Sequence, residues 1–195
     1  MEIQKLNNVL LERVIRSLGK VSVYDKNRAD YLGHILQEKG FNIFASHGTL
    51  EYFRDKGIEA CPVESITDNP FGFENYVSSL GFKSLMGVLD DGNMPIDLLR
   101  KSINLVVYNF VPTWEIIRTR KEFNIHNVDL GGPTMVRAAA INYKNVLPII
   151  RPEQYELIET FEQLDEEKRW GLARTALEYC SSYDNKLVEF MQYLK

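Results

Sequence analysis

Apolar residues in this chain gather in short runs separated by stretches with helical spacing. Lys20–Tyr24 and Phe41–Ala45 are two such runs, and between them Ala29, Leu32, Ile35 and Leu36 recur at intervals of one turn before Gly40. Short apolar runs bounded by turn signals predict strands, and the intervening period predicts a helix with one apolar face. Thr49–Lys56 predicts a further helix stopping at Gly57, and Ile58–Val63 a short strand broken by Pro62. Leu98–Ser102 feeds Ile103–Tyr108, whose nearly continuous apolar character is that of a strand buried on both faces. This alternation predicts a doubly wound α/β fold with a mostly parallel sheet flanked by helices.

Ile3, Leu6, Leu10, Val14 and Leu18 predict a helical extension over residues 1–18, ahead of a main domain over 19–195. Glu64–Asn93 is rich in Gly, Ser, Asn and Asp, has no sustained period, and is long enough to predict a functional loop. Met135–Ile141 predicts a helix after Gly-Gly-Pro-Thr, Val146–Ile150 a strand, and Pro152 a helix start. In Leu164–Leu194, Asp165 is a cap and Trp170, Leu172, Ala173, Ala176, Leu177, Leu187 and Phe190 are apolar positions. They predict two packed C-terminal helices joined near Ser181–Asp184.

Composition narrows the function. At 195 residues with 45% hydrophobic and 26% charged, the chain reads as one folded domain. A formal net charge of -4 supplies no bulk basic field, which argues against nucleic acid or anionic lipid as partners. The longest apolar candidate, Ile103–Val111, is interrupted by Asn104 and Asn109, so no membrane span is expected. Glu2, Lys5, Glu12, Arg13 and Arg16 break any secretory signal, which makes the cytoplasm the expected compartment. Cys61 and Cys180 lack a neighbouring Cys or His and are expected as buried apolar residues, with no disulfide or metal site.

Ligands of parallel sheets bind beyond the carboxyl ends of the strands, where helix N-termini present N–H groups. Three predicted strand ends carry suitable residues: Ser22-Val23-Tyr24-Asp25-Lys26, Ala45-Ser46-His47-Gly48-Thr49, and Tyr108-Asn109-Phe110-Val111-Pro112. At the second, Gly48 permits close backbone approach and Ser46 and Thr49 add hydroxyl donors, which suits a phosphate; the same residues also serve as plain helix caps. A fourth element is Asp129-Leu130-Gly131-Gly132-Pro133-Thr134-Met135-Val136-Arg137-Ala138-Ala139-Ala140. Its paired glycines, preceding acid and following Arg137 read either as a backbone surface that meets a ligand or as a tight turn before a buried helix.

Together these elements resemble, colinearly from Lys20 to Leu194, the IMP cyclohydrolase domain of the bifunctional purine biosynthesis protein that also carries a transformylase. The Asp129–Ala140 block is the most specific, Ser22–Lys26, Ala45–Thr49 and Asn104–Pro112 are supportive, and Ser182-Tyr183-Asp184 lies in a tail like that domain's closing helices. The resemblance implies a methylglyoxal-synthase-like fold, a homodimer, and a cyclohydrolase without its usual partner, a transformylase expected as a separate chain. It implies a reaction without cofactor: the carboxamide nitrogen of a formamidoimidazole carboxamide ribotide attacks the formyl carbon and water leaves, giving IMP.

By the same resemblance Ser22, Lys26, Ser46, Gly48, Thr49, Lys83 and Ser84 line the nucleotide and its phosphate, and Asn109, Asp129, Gly131 and Gly132 face the base. Lys83 and Asp129 are then the catalytic candidates. The chain departs from the family pattern where Ile141 replaces a lysine placed at the reacting centre, Tyr143 a histidine, and Val111 a tyrosine. His47 replaces a glycine and is either a surface or capping residue or an added phosphate donor, and Tyr24 and Tyr143 are candidate replacement hydroxyls. Loss of a cation at a reacting centre removes stabilisation worth several kcal/mol. A rival expectation is therefore a nucleotide-binding protein without turnover, or the partner subunit of a separate transformylase.

Overall fold

The structure, a computed structural model, describes residues 17–67, 80–93, 102–120 and 127–193. The predicted extension over residues 1–16, the centre of the 64–93 stretch and the lead-in over 98–101 lie outside the described residues. Leu18, expected to close the N-terminal apolar stripe, instead opens the first strand.

Among the described residues five strands form one all-parallel sheet: β1 (Leu18–Val23), β2 (Asn42–Ala45), β3 (Cys61–Pro62), β4 (Ile103–Asn109) and β5 (Leu147–Ile149), in the order β3-β2-β1-β4-β5. Both faces are covered, so β4 can be apolar along nearly its whole length. Helices α1 (Ala29–Glu38) and α2 (His47–Asp55) lie on the face lined by Val21, Val23, Leu105 and Val107. The opposite face, with Phe44, Val106 and Tyr108, takes α3 (Glu64–Thr67), α4 (Phe82–Leu89), α6 (Gly131–Ile141) and α7 (Glu166–Tyr193), with α5 (Thr113–Arg120) following β4. No helix of the described residues is long and apolar enough to cross a membrane.

Several elements differ from the periodicity reading, each for a physical reason. The tail is one 28-residue helix, α7, with no break at Ser181–Asp184. Tyr183 is buried there, its hydroxyl 2.7 Å from Thr113 Oγ1 and accepting the Asp129 N–H at 2.8 Å, while Asp184 pairs with Arg137. These contacts hold the polar segment helical against its local preference for a turn. Helix α4 stands inside the stretch read as an aperiodic loop, because Gly81, Ser84 and Gly87 dilute its apolar stripe of Leu85, Val88 and Leu89.

The Gly131-Gly132-Pro133 sequence forms the first turn of α6 rather than a turn ahead of it. Proline is tolerated in a first turn, where N–H groups have no intrahelical partner. Pro152 opens a 3₁₀ helix, Pro152–Ile158, in which Gln154 Oε1 accepts the N–H groups of Ile150 and Arg151. The strand read over Ile58–Val63 shrinks to Cys61–Pro62 at the sheet edge, where a proline costs no interior ladder bond. Cys180 is buried as expected, whereas Cys61 is exposed on that edge.

Candidate functional site

The strand order places the carboxyl ends of β2, β1 and β4 side by side. With strands about 4.8 Å apart, the β2 and β4 ends stand about 10 Å from each other, a span that a nucleoside monophosphate bridges. The turn after β2 leads directly into α2: Ser46 is the N-cap in extended backbone, and His47 and Gly48 lie exposed in the first turn. Among the described residues a Cβ at Gly48 would meet nothing within 4 Å, so its backbone is open to close approach.

Thr49 is tied inward. Its hydroxyl accepts the Val23 N–H at 3.1 Å and lies 3.3 Å from the Val23 carbonyl, bracing α2 against the end of β1. Ser46 Oγ sits 3.4 Å from Thr49 Oγ1. His47 leans along the helix towards Glu51, Nε2 to Oε1 3.3 Å. At the end of β1, Ser22 is half-buried, and Lys26 folds back to donate to the Val23 carbonyl. Burial lowers the Lys26 pKa, with Asp25 opposing.

The β4 end is joined to β1 by Asn109, whose Oδ1 accepts the Asp25 N–H at 2.8 Å and whose Nδ2 donates to the Asp25 carbonyl at 3.0 Å. Asp129 joins the same end to α6. Its Oδ1 accepts the Gly132 N–H at 2.7 Å and its Oδ2 the Val111 N–H at 3.3 Å. Burial pushes this carboxyl above the usual aspartate range, and the two N–H groups pull it partly back. Asp129 thus caps α6, and each oxygen keeps a second lone pair for a ligand. Gly132 is required by this packing: a Cβ there would lie 2.8 Å from Asp129 Oδ2 and 2.9 Å from Phe110 Cδ1. Gly131 is buried beside it.

Behind this junction Phe110 stacks on Tyr179 at 4.4 Å, and Tyr179 Oη accepts the Phe110 N–H at 3.1 Å. Arg137, deeper along α6, is committed to Asp184 of α7. Lys83 is exposed on the first turn of α4, and Ser84 beside it is buried. Ile141 is 70% exposed at the far end of α6, about 15 Å from Gly131 by helical rise, so it stands away from Asp129 within one chain. Tyr143 follows it, its hydroxyl donating to Glu166 Oε1 at 3.1 Å, while Tyr24 is exposed.

The structure therefore brings together Ser22, Lys26, Ser46, Gly48, Thr49, Asn109, Asp129, Gly131 and Gly132 along one sheet crest, and sets Arg137, Ile141 and Tyr143 apart from it. Among the described residues no group of three His, Cys, Asp or Glu side chains could hold a metal ion. A depression of about 90 Å³ lined by Ser17, Lys39, Phe41 and Phe161 opens at the amino ends of β1 and β2 and is too small for a nucleotide. Sequence reasoning missed Lys20, which is fully buried in β1 and donates to Ser84 Oγ. Its signal was a lone cation at the head of an apolar run.

Comparison with known proteins agrees with the fold. The MGS-like domain model matches residues 31–128. The chain is 32% identical over 188 residues to the bifunctional purine biosynthesis protein PurH of Caldicellulosiruptor bescii, covering 90% of this chain and 37% of that relative. To PurH of Natranaerobius thermophilus it is 31% identical over 202 residues, covering 98% and 38%. The chain thus spans well under half the length of these curated relatives. Among solved structures, that of ForH superposes with a TM-score of 0.75 at 26% identity, covering 90% of this chain and 97% of ForH.

Proposed function

The chain belongs to the MGS-like domain family, and from that membership we propose that it is an IMP cyclohydrolase-like enzyme that closes the ring of a formamidoimidazole carboxamide ribotide or a close analogue. The observation that carries this reading is Asp129, a desolvated carboxylate held by two backbone N–H groups where β4 meets α6. The Gly48 turn, open to close approach, takes the 5'-phosphate with help from the N–H groups at the start of α2. The imidazole then lies towards β4, its carboxamide nitrogen within about 3–3.5 Å of the formyl carbon. As the C–N bond forms, Asp129 takes a proton from the carboxamide nitrogen and returns it to the former formyl oxygen, which Lys83 stabilises; the formamido nitrogen then gives up its proton to the same oxygen as the C–O bond breaks, so that water leaves and the ring C=N bond remains.

A second reading rests on Ile141, an exposed apolar residue at the position where the resemblance calls for a lysine. It favours nucleotide binding without turnover, as a sensor or as a subunit working with a separate transformylase. Incubating the purified protein with the formamido ribotide and following purine absorbance separates the two. Turnover supports the enzyme; micromolar binding of IMP with no turnover supports the second reading. A cytoplasmic homodimer is expected in either case, and light scattering should return twice the chain mass.

A further inference from the structure

Lys20 occupies the middle of the central strand β1, paired in register with Phe44 of β2 and Val106 of β4. Both neighbours are apolar and buried, and Lys20 itself has no exposed surface. Its alternation partners on the same face are Leu18 and Ser22, so its stem crosses the apolar floor under α4 one step below the half-buried Ser22. The ammonium emerges beneath the first turn of α4, where it donates to Ser84 Oγ.

Three elements converge on this point. Helix α3 supplies Glu64, whose charge acts on Lys20 and whose Oε1 is buried with no hydrogen-bond partner among the described residues. The end of α3 presses on the start of α4, since a Cβ at Gly81 would lie 2.3 Å from the Thr67 carbonyl oxygen. The charged residue of α4, Lys83, is exposed. A buried cation in a β-sheet core is expensive, and an apolar residue of similar volume would pack there at lower cost. Such a departure from local rules is characteristic of functional sites.

We infer that Lys20 and Ser84 form the buried end of the anion site: the Lys20 ammonium, by donating to Ser84 Oγ, turns the serine hydroxyl hydrogen towards a phosphate-type oxygen of the ligand. Lys20 is thus a positioning residue acting through Ser84. This rests on the nucleotide reading above and adds to it a residue that the resemblance does not supply. When Lys20 loses its proton, the neutral amine accepts the Ser84 hydroxyl hydrogen and the serine presents a lone pair to the anion, which repels it. Burial lowers the Lys20 pKa to about 7, Glu64 opposing, so the change falls in an accessible range.

The test is calorimetric binding of IMP at pH 7 and pH 9, a window in which the phosphate is already doubly charged, by the wild type, Lys20→Met and Ser84→Ala. Thermal melts establish that the variants are folded. Wild-type affinity should fall about tenfold more from pH 7 to pH 9 than that of either variant, and both variants should bind about tenfold more weakly than the wild type at pH 7. Wild-type affinity and pH profile in Lys20→Met would overturn the inference and leave the nucleotide reading standing. If the wild type binds no IMP, the nucleotide reading fails, and inorganic phosphate decides the pair by thermal shift. Greater stabilisation of the wild type than of Lys20→Met at pH 7 upholds the Lys20–Ser84 site, and equal stabilisation overturns it.

Discussion

Asn109 and the backbone of Asp25 form a two-bond clasp, 2.8 Å and 3.0 Å, that locks the carboxyl end of β4 to the turn leaving β1. The clasp uses both ends of the amide at once, so no acid or hydroxyl of similar size reproduces it. It places Asp25 and Lys26 beside the β4 end, which turns two neighbouring strand ends into one surface.

Replacing Asn109 should therefore damage both stability and binding. Asn109→Ala is expected to cost about 1–2 kcal/mol in urea unfolding and to weaken IMP binding, while Asn109→Asp, which keeps the acceptor and loses the donor, should fall between it and the wild type. Equal behaviour of Asn109→Asp and wild type would show that the donor half of the clasp does nothing.

Asp129 gives a pH signature. Its pKa is raised by burial, so over the window above the usual aspartate value the native state holds a proton that the unfolded chain has released. Its contribution to stability accordingly falls as pH rises through that window. Turnover should show an acid limb displaced upward by the same cause. Asp129→Asn should abolish that limb and reduce kcat about 10²–10⁴-fold, and because its Nδ2 is a donor it leaves the Val111 N–H without its acceptor, at a cost of about 1 kcal/mol.

Lys20 has the opposite sign. Between its lowered value of about 7 and the ordinary lysine value near 10.4, the unfolded chain binds the extra proton, so native stability rises with pH. The melting temperature of the wild type relative to Lys20→Met should increase between pH 7 and pH 9.5, by roughly 2–4 °C for each kcal/mol recovered. A constant difference between the two proteins would mean that Lys20 titrates normally.

Two glycines should separate packing from ligand contact. Gly132→Ala pushes a methyl group into the Asp129 carboxylate and the Phe110 ring and should destabilise by about 1–3 kcal/mol. Gly48→Ala meets no atom within 4 Å and should leave the melting temperature equal or slightly higher, since alanine is the better helix former, while weakening IMP binding about tenfold. Unchanged IMP affinity in Gly48→Ala would remove the turn after β2 from the site.

The amino-acid sequence alone determined the alternation of strands and helices, the parallel sheet, and the strand ends that carry polar chemistry. Those are local facts: a period of 3.6 or an unbroken apolar run is written within a dozen residues. The tertiary structure decided what those residues touch. Ser181–Asp184 reads as a break, and the docking of Tyr183 on Thr113 and Asp129, with Asp184 paired to Arg137, keeps α7 continuous. Asp129 reads equally as cap or ligand contact, and its two N–H partners, one of them from the distant Val111, settle its geometry. Lys20 reads as one cation beginning an apolar run, yet its burial, Ser84 and Glu64 come from segments far along the chain. Periodicity specifies which face a residue occupies; a hydrogen bond or a desolvated charge depends on which distant residue packs opposite, and that is decided when the sheet and its helices assemble.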